Sequence, residues 1–369
     1  MTYSKLGNIK GPQGRRGLNM TGGATTPPAV DDSVLEGDLW LDSVTGDVYR
    51  ATDPWTKDDS WHTWNTVLWK VADNTLMVQP AEGGAGTTGE PTDFGYFQGA
   101  PWCSASDNPS LKSMTSVRSK GTIAMNANSK ALFKYCTSLA NISPISGWNI
   151  SGVTSMENMF QGCNSLADIS ALSGWDTSNV TAMTSMFSGC YALTDLSPIS
   201  GWDVSGVTDM YGMFSSCTSL ADLSALSGWN TSNVTAMTSM FYNCSSLANL
   251  SALSGWDTSG VTSMRYMFND CTSLTDASTI SGWDVSSMES MTSMFLHCPL
   301  ERIGIPSLEH GGRKFVSNFK DASAVADMDT TMLTNTTTHE SMSANQMLAD
   351  MDTTPSKYAT GTVWTIARA

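Results

Sequence analysis

A strict 27-residue period constrains this chain more than any other feature. Tryptophan recurs at Trp148, Trp175, Trp202, Trp229, Trp256 and Trp283, and phenylalanine at Phe133, Phe160, Phe187, Phe214, Phe241, Phe268 and Phe295. Cysteine follows at Cys136, Cys163, Cys190, Cys217, Cys244, Cys271 and Cys298. One unit reads W-D/N-x-S-x-V-T-x-M-x-x-M-F-x-x-C-x-x-L-x-D/N-I/L-S-x-I/L-S-G, with departures mostly toward the array ends. The apolar columns are too irregularly spaced for one long helix, and the Ser-Gly and Asx positions would interrupt one. A unit of this length cannot close a core alone, so the expected fold is a solenoid in which each coil stacks on the last.

Within a coil, Val153-Thr154-Ser155-Met156 and Leu166-Ala167-Asp168-Ile169 are expected to be ladder-forming strands. Met159-Phe160-Gln161-Gly162-Cys163 is expected to make a helical turn that drives Phe160 inward. Ser173-Gly174-Trp175-Asp176 should turn a corner, with backbone room at Gly and a local hydrogen bond at Asp. Stacking would place the Val, Met, Phe, Leu and Ile columns inside, and the Trp column either in the core or sealing a corner.

The cysteine column does not read as a metal site, because zinc ligands combine close pairs and converge on a point, whereas these lie 27 residues apart along a line. Disulfides between adjacent coils would leave one member unpaired and strain a uniform ladder. Buried free thiols are expected instead. Two Asx columns, Asn149 to Asp284 and Asn141 to Asp276, could hold calcium only if their oxygens converged, and asparagine interrupts both rows. Turn capping is the expected role. The four histidines, His62, His297, His310 and His339, stand without a Ser or Cys partner in the sequence, and there is no phosphate-binding glycine loop. No catalytic residue, metal ligand or cofactor is therefore expected, and the chain is not expected to be an enzyme.

The informative positions in such an array are those that vary while their neighbours repeat. After the first Met column stand Glu157, Thr184, Tyr211, Thr238, Arg265 and Thr292, followed by Asn158, Ser185, Gly212, Ser239, Tyr266 and Ser293. After Phe come Gln161, Ser188, Ser215, Tyr242, Asn269 and Leu296, and Tyr191 follows a Cys. A core could not exchange Thr for Arg or Tyr, so these positions are expected to face solvent. Tyr191, Tyr211, Tyr242, Arg265 and Tyr266 are the candidate ligand-binding residues, since Tyr offers a rigid apolar face with a polar tip. The bland alternative is that they are incidental surface residues.

Hydrophobic residues make up 40% of the chain but charged residues only 14%, so the polar surface must come mainly from Ser, Thr, Asn and Gly. The formal charge is −15, which leaves no basic stripe for a phosphate backbone and argues against nucleic-acid binding. No charged n-region followed by an apolar h-region opens the sequence, so neither classical secretion nor membrane insertion is expected.

The flanks differ from the array. Residues 1–30 contain Gly11-Pro12-Gln13-Gly14-Arg15-Arg16-Gly17 and a Thr/Pro run, and read as a Gly-rich leader or connector. Residues 31–110 read as an aromatic-rich beta attachment module and junction, with a hairpin between Gly37-Asp38-Leu39-Trp40-Leu41-Asp42 and Asp47-Val48-Tyr49-Arg50. A dense aromatic group follows at Trp55, Trp61, Trp64 and Trp69, and residues 71–110 look loop-rich. The leucine-rich-repeat solenoid is placed at 111–300, with 111–132 as a degenerate capping coil. A mixed alpha/beta C-terminal cap or tip domain occupies 301–369. Helices are expected at 315–328 and 343–351, the latter capped by Ser343, and a closing strand at 362–366.

The unit W-D-x-S-x-V-T-x-M-x-x-M-F-x-x-C-x-x-L resembles the BspA-like leucine-rich-repeat surface protein family, over nearly half the chain. That resemblance implies a right-handed leucine-rich solenoid used for adhesion or protein recognition, and supplies no catalytic residue. The N-terminal segment, through Leu6 to Pro12, the Gly triplets and the hairpin of residues 37–49, resembles phage tail-fibre and other virion appendage proteins. The two resemblances imply a phage virion appendage or fibre protein that is assembled in the bacterial host cytoplasm. Its N-terminal region would join other virion proteins as a homotrimer, and its solenoid would meet a host-surface glycan or protein. Structural virion decoration without receptor binding and a bacterial surface adhesin are the alternatives.

Overall fold

A computed structural model describes residues 2–8, 20–22, 39–41, 47–52, 62–64, 67–72, 74–80, 85–87, 92–93, 98–99, 112–305, 332–353 and 362–367. The chain divides into two compact units, Met1–His62 and Thr63–Ala369. The first holds a four-stranded sheet of β1 (Thr2–Asn8), β2 (Met20–Gly22), β3 (Leu39–Leu41) and β4 (Asp47–Thr52), in the order β1-β4-β3-β2. The expected hairpin is its centre, with β3 antiparallel to β4 and Trp40 opposite Tyr49. The Gly triplets at 11–17, the Thr/Pro run at 23–28, Trp55 and Trp61 lie outside the described residues.

The boundary falls within β5 (His62–Trp64), and the second unit continues with β6 (Val67–Ala72), β7 (Thr75–Pro80) and β8 (Ala85–Thr87), followed by a two-stranded ribbon of β9 (Thr92–Asp93) and β10 (Gln98–Gly99). Part of the region expected to be loop-rich is therefore strand. Residues 76 and 78, Leu and Val, are fully buried, and β7 runs parallel to β11 (Ser116–Ser119) as β8 does to β12 (Thr122–Ala124). Single bridges at Ser116, Ala124 and Asn128 then pass the parallel pairing to Asn141, Asn149 and Ser155 in the first regular coils.

From there to Cys298 the chain is a periodic array of turns. The two strands expected per coil reduce to one single-residue parallel bridge on the column of Ser155, Ala182, Asp209, Ala236, Ser263 and Ser290. The Leu166–Ile169 segment leads instead into a 3₁₀ turn at Ser170–Leu172, and its counterparts do likewise. The main pairing lies where a helical turn was expected. Met156, Asn158, Phe160 and Gly162 donate their N–H groups to the carbonyls of Ala182, Thr184, Met186 and Ser188 at 2.7–3.0 Å. The intervening Met159, Gln161 and Cys163 donate three residues back within their own coil. Aiming alternate N–H groups along the axis requires a left-handed backbone at two columns. Asn158 has φ 57° and Gly162 φ 73°, and both columns repeat this down to Ser293 and His297. A helix cannot contain such residues, which is why the helical reading fails.

Side chains complete each junction. The Phe rings stack at 5.4–5.8 Å between centroids, all nearly without exposure. Trp joins the core, and its indole N–H reaches a carbonyl of the preceding coil, as from Trp229 to Ile199 at 3.3 Å and from Trp283 to Leu253 at 2.9 Å. The seven array thiols are free and buried. Six of them donate to the carbonyl of the preceding coil's Phe, Cys190 to Phe160 at 3.3 Å for example. Burial pushes the Cys190 and Cys244 thiols up to about 12, so they keep the proton they donate.

The array passes into a five-stranded sheet, in the order β13-β14-β17-β15-β16. Its strands are β13 (Asp276–Ala277), β14 (Arg302–Ile305), β15 (Met332–Asn335), β16 (Ser341–Ser343) and β17 (Thr362–Ala367). β14 pairs parallel to β13 in the place of a further coil, and β17 is the expected closing strand. Helix α1 (Ala344–Thr353) is capped by Ser343, whose hydroxyl accepts the N–H of Gln346 at 3.1 Å, and it buries Met347. The helix expected at 315–328 lies outside the described residues. The observed architecture is thus a periodic array of β-bridges and 3₁₀ turns flanked by small sheets, consistent with a solenoid.

Trp148 stands at the start of the Trp column, and its buried indole N–H meets no described acceptor. Trp229→Phe removes a buried hydrogen bond that Trp148→Phe does not, so chemical unfolding should show Trp229→Phe to be the more costly by about 1 kcal/mol. Equal losses would mean that the indole bonds contribute nothing.

Candidate functional site

The face formed by residues 156–162 and their counterparts carries a groove of about 600 Å³. It runs from Gln161 past Ser185, Ser188, Tyr211, Gly212, Ser215, Ser239, Tyr242 and Tyr266 to Asn269, Asp270, Leu296 and His297. Thus three of the five expected residues, Tyr211, Tyr242 and Tyr266, meet in one place. They come from three successive coils and three different columns. Arg265 is exposed beside them, its guanidinium 5.5 Å from the centre of the Tyr266 ring, a cation–π distance. Tyr191 is 48% exposed but lies on another column and does not line the groove.

The expected solvent exposure holds only in part. Tyr211 is 47% exposed, whereas Asn269 is 4% exposed although its column varies. Asn269 follows Tyr242 and precedes Leu296 along that column, so large neighbours cover it. Its Oδ1 is buried and accepts no hydrogen bond from any described residue. A buried acceptor left in this state costs about 1–3 kcal/mol.

Ten of the thirteen lining residues were not among the sequence candidates, and three of these carry polar chemistry at one end of the groove. Asn269 stood in a variable column but was passed over for its aromatic neighbour. Asp270 and His297 belong to a further variable column, Tyr135, Gly162, Gly189, Ser216, Asn243, Asp270 and His297, which is legible in the sequence once it is aligned. His297 Nδ1 lies 2.6 Å from Asp270 Oδ1 and closes one end of the groove. At the other end of that column Tyr135 lies over Gly162, where a Cβ would come within 2.6 Å of the Tyr135 ring.

Backbone geometry limits what this face can display. The column from Asn158 to Ser293 and the column from Tyr135 to His297 are left-handed throughout. They carry Asn, Ser, Gly, Tyr, Asp and His but no β-branched residue, which this conformation strains. The column of Tyr211 is free of the requirement and admits Thr184, Thr238 and Thr292.

The Asx columns do what local chemistry predicts. Asp176 Oδ1 accepts the N–H and hydroxyl of Ser178 at 3.2 and 2.7 Å, and Asp168 Oδ1 accepts the N–H of Ser170 at 2.8 Å. Asn149 and Asn141 accept the equivalent N–H groups in their coils. The hydroxyls of Ser178, Ser205 and Ser259 hold the carboxyls of Asp176, Asp203 and Asp257 below the usual range, as the Ser170 N–H does for Asp168. Among the described residues no group of three or more His, Cys, Asp or Glu could hold a metal ion, and no helix is long and apolar enough to cross a membrane.

Residues 127–248 and 221–301 match a protein family described as Mycoplasma protein of unknown function, DUF285. The chain is also similar to a leucine rich cell surface protein from Faecalibacterium prausnitzii A2-165. The identity is 19%, the match covers 68% of this chain and 78% of that chain, and the TM-score is 0.29. No curated protein matches. The likeness is distant and partial, and it is to a bacterial cell-surface protein.

The expectation of a phage virion appendage is corrected accordingly, because the solved protein that the chain resembles is a bacterial surface protein and not a virion or tail-fibre protein. With it go the virion partners, the homotrimer, virion decoration and assembly in a host cytoplasm. The physical source of the error is plain in the N-terminal unit. A hairpin with Trp40 opposite Tyr49 specifies a local backbone path, not the particle it would belong to.

The left-handed column supplies a direct test of the groove's construction. Tyr266→Ser, the residue that Ser239 and Ser293 already supply, should leave unfolding stability nearly unchanged, whereas Tyr266→Val, β-branched in a left-handed position, should be clearly less stable than Tyr266→Ser. Equal stability of the two variants in urea would contradict the assigned backbone.

Proposed function

We propose that this protein is a bacterial surface adhesin whose array, a solenoid of the leucine-rich type, is a non-catalytic recognition module. The observation that carries the reading is the meeting of Tyr211, Tyr242 and Tyr266 in one groove on an otherwise repetitive scaffold. Aromatic side chains in a concave site supply contact area at low conformational cost, and they dominate recognition surfaces for that reason. Arg265, stacked beside Tyr266, extends the same surface, and Tyr191 forms a separate, outlying contact.

What the reactive side chains of the array are already doing supports a non-catalytic role. The array thiols are buried, six of the seven bound to Phe carbonyls, the corner carboxylates cap turns, and Asp270 is engaged by His297. Recognition needs only the shape and hydrogen-bonding of the groove, which a rigid stack of coils holds in place.

The test uses the full chain, fluorescently labelled, on mucin-coated plates, fixed epithelial cells and fixed bacteria. Binding to at least one surface is expected. It should fall about ten-fold in the combined variant Tyr211→Thr, Tyr242→Ser, Tyr266→Ser, whose replacements already occur in the same columns at Thr238, Ser215 and Ser239. Undiminished binding by that variant, or no binding of the parent chain to any of the surfaces, would overturn the reading.

A further inference from the structure

The groove's chemistry identifies a class of ligand, an inference that rests on the recognition role proposed above. We infer that the groove holds a neutral oligosaccharide segment, with Tyr242 and Tyr266 as ring platforms and Asn269 and Asp270 as hydrogen-bond acceptors.

A pyranose ring presents an apolar C–H face and a rim of hydroxyls. A tyrosine matches both parts, with its ring against the face and its phenol at the rim. The groove is also lined by Ser188, Ser215 and Ser239, whose hydroxyls can each donate or accept, as a sugar hydroxyl can. The buried Asn269 Oδ1 is an acceptor for which the described fold supplies no donor. A ligand hydroxyl that displaces the cover over Asn269 and donates to it would complete the bond. Asp270 is held in place by His297 through Oδ1, and no described residue engages its Oδ2, which leaves a second acceptor at the same end of the groove.

Other ligand classes fit less well. No Lys or Arg lines the groove and one carboxylate does, so phosphorylated, sulfated or uronic polymers would meet Asp270 and find only Arg265 at the edge beside Tyr266 and His297, which Asp270 already engages. A peptide adding itself as a strand needs open main-chain groups. On this face the N–H groups of residues 156, 158, 160 and 162, and the carbonyls that face them, are consumed by the junctions between coils. A ligand read by side chains alone, through stacking and hydroxyls, remains compatible with that backbone. The groove is open to solvent and about 600 Å³ in volume, room for a segment of a longer polymer.

The experiment is affinity electrophoresis of the full chain through native gels containing mannan, galactan, dextran, mixed-linkage β-glucan or polygalacturonate. Retardation by at least one neutral polymer is expected, with little from the anionic one. Tyr242→Ser and Tyr266→Ser should each weaken the retardation about ten-fold. Asn269→Leu should weaken it too, and Leu296 in the same column indicates that the fold accepts that side chain.

Retardation by polygalacturonate alone, retardation by none of the polymers, or retardation unchanged in all three variants would overturn the proposal. Periodate oxidation of the surfaces bound in the preceding test separates the two claims. Loss of binding after oxidation supports a glycan ligand. Binding that still depends on the tyrosines but survives oxidation overturns the glycan and leaves the recognition role standing, whereas binding independent of the tyrosines overturns the recognition role itself.

Discussion

The array depends on the row of main-chain hydrogen bonds that joins each coil to the next through alternate N–H groups of residues 156–162 and their counterparts. A single coil buries too little to be stable and leaves these donors unsatisfied. Stacking answers both needs together. The N–H groups find carbonyls 26 residues on, and the Phe, Met and Leu columns between them close into a dry interior. Two left-handed residues per coil are the condition for this arrangement, and they recur through seven coils. Trp and Cys add a second type of bond at the same junctions, each carrying a donor to a carbonyl 30 residues earlier.

This construction separates stability from display. The interior columns must repeat because each residue packs on its own counterparts above and below. The surface columns over the hydrogen-bonded row are limited only by their backbone, which explains why Tyr, Asn, Asp and His accumulate there without disturbing the period. The groove is the place where those exchanges cluster, between Tyr211 and His297. Its far end shows the same logic in a stricter form, since Asp270 and His297 occupy one left-handed column 27 residues apart and so are brought within 2.6 Å by the period itself.

Much of this was legible in the sequence. The period, the buried free thiols, the Asx turns, the capping by Ser343 and the hairpin at Trp40 and Tyr49 all follow from spacing or local chemistry. The row of cross-coil bonds at residues 156–162 was not legible, and two strands per coil were expected in its stead, because the alternation of backbone handedness leaves no hydrophobic signature and looks like a helical turn when only side chains are read. Strand β7 pairs antiparallel with β6 and parallel with β11; the first pairing is local and was missed, whereas the second, between coils, has no local mark. In the groove, Tyr211, Tyr242 and Tyr266 stood out by size. Asn269 did not, since its significance comes from the cover given by Tyr242 and Leu296, a property of the stack and not of the residue.

The central claim is that column register, carried by the cross-coil hydrogen bonds, holds the array together. Excising residues 193–219 removes one period and joins Ala192 to Leu220, which restores every column. Excising residues 193–218 instead shifts every column by one residue. Near-UV circular dichroism during thermal unfolding should show the 27-residue deletion to retain ordered aromatic signals and a cooperative transition, and the 26-residue deletion to lose both. Equal behaviour of the two deletions, whether both folded or both unfolded, would contradict the account.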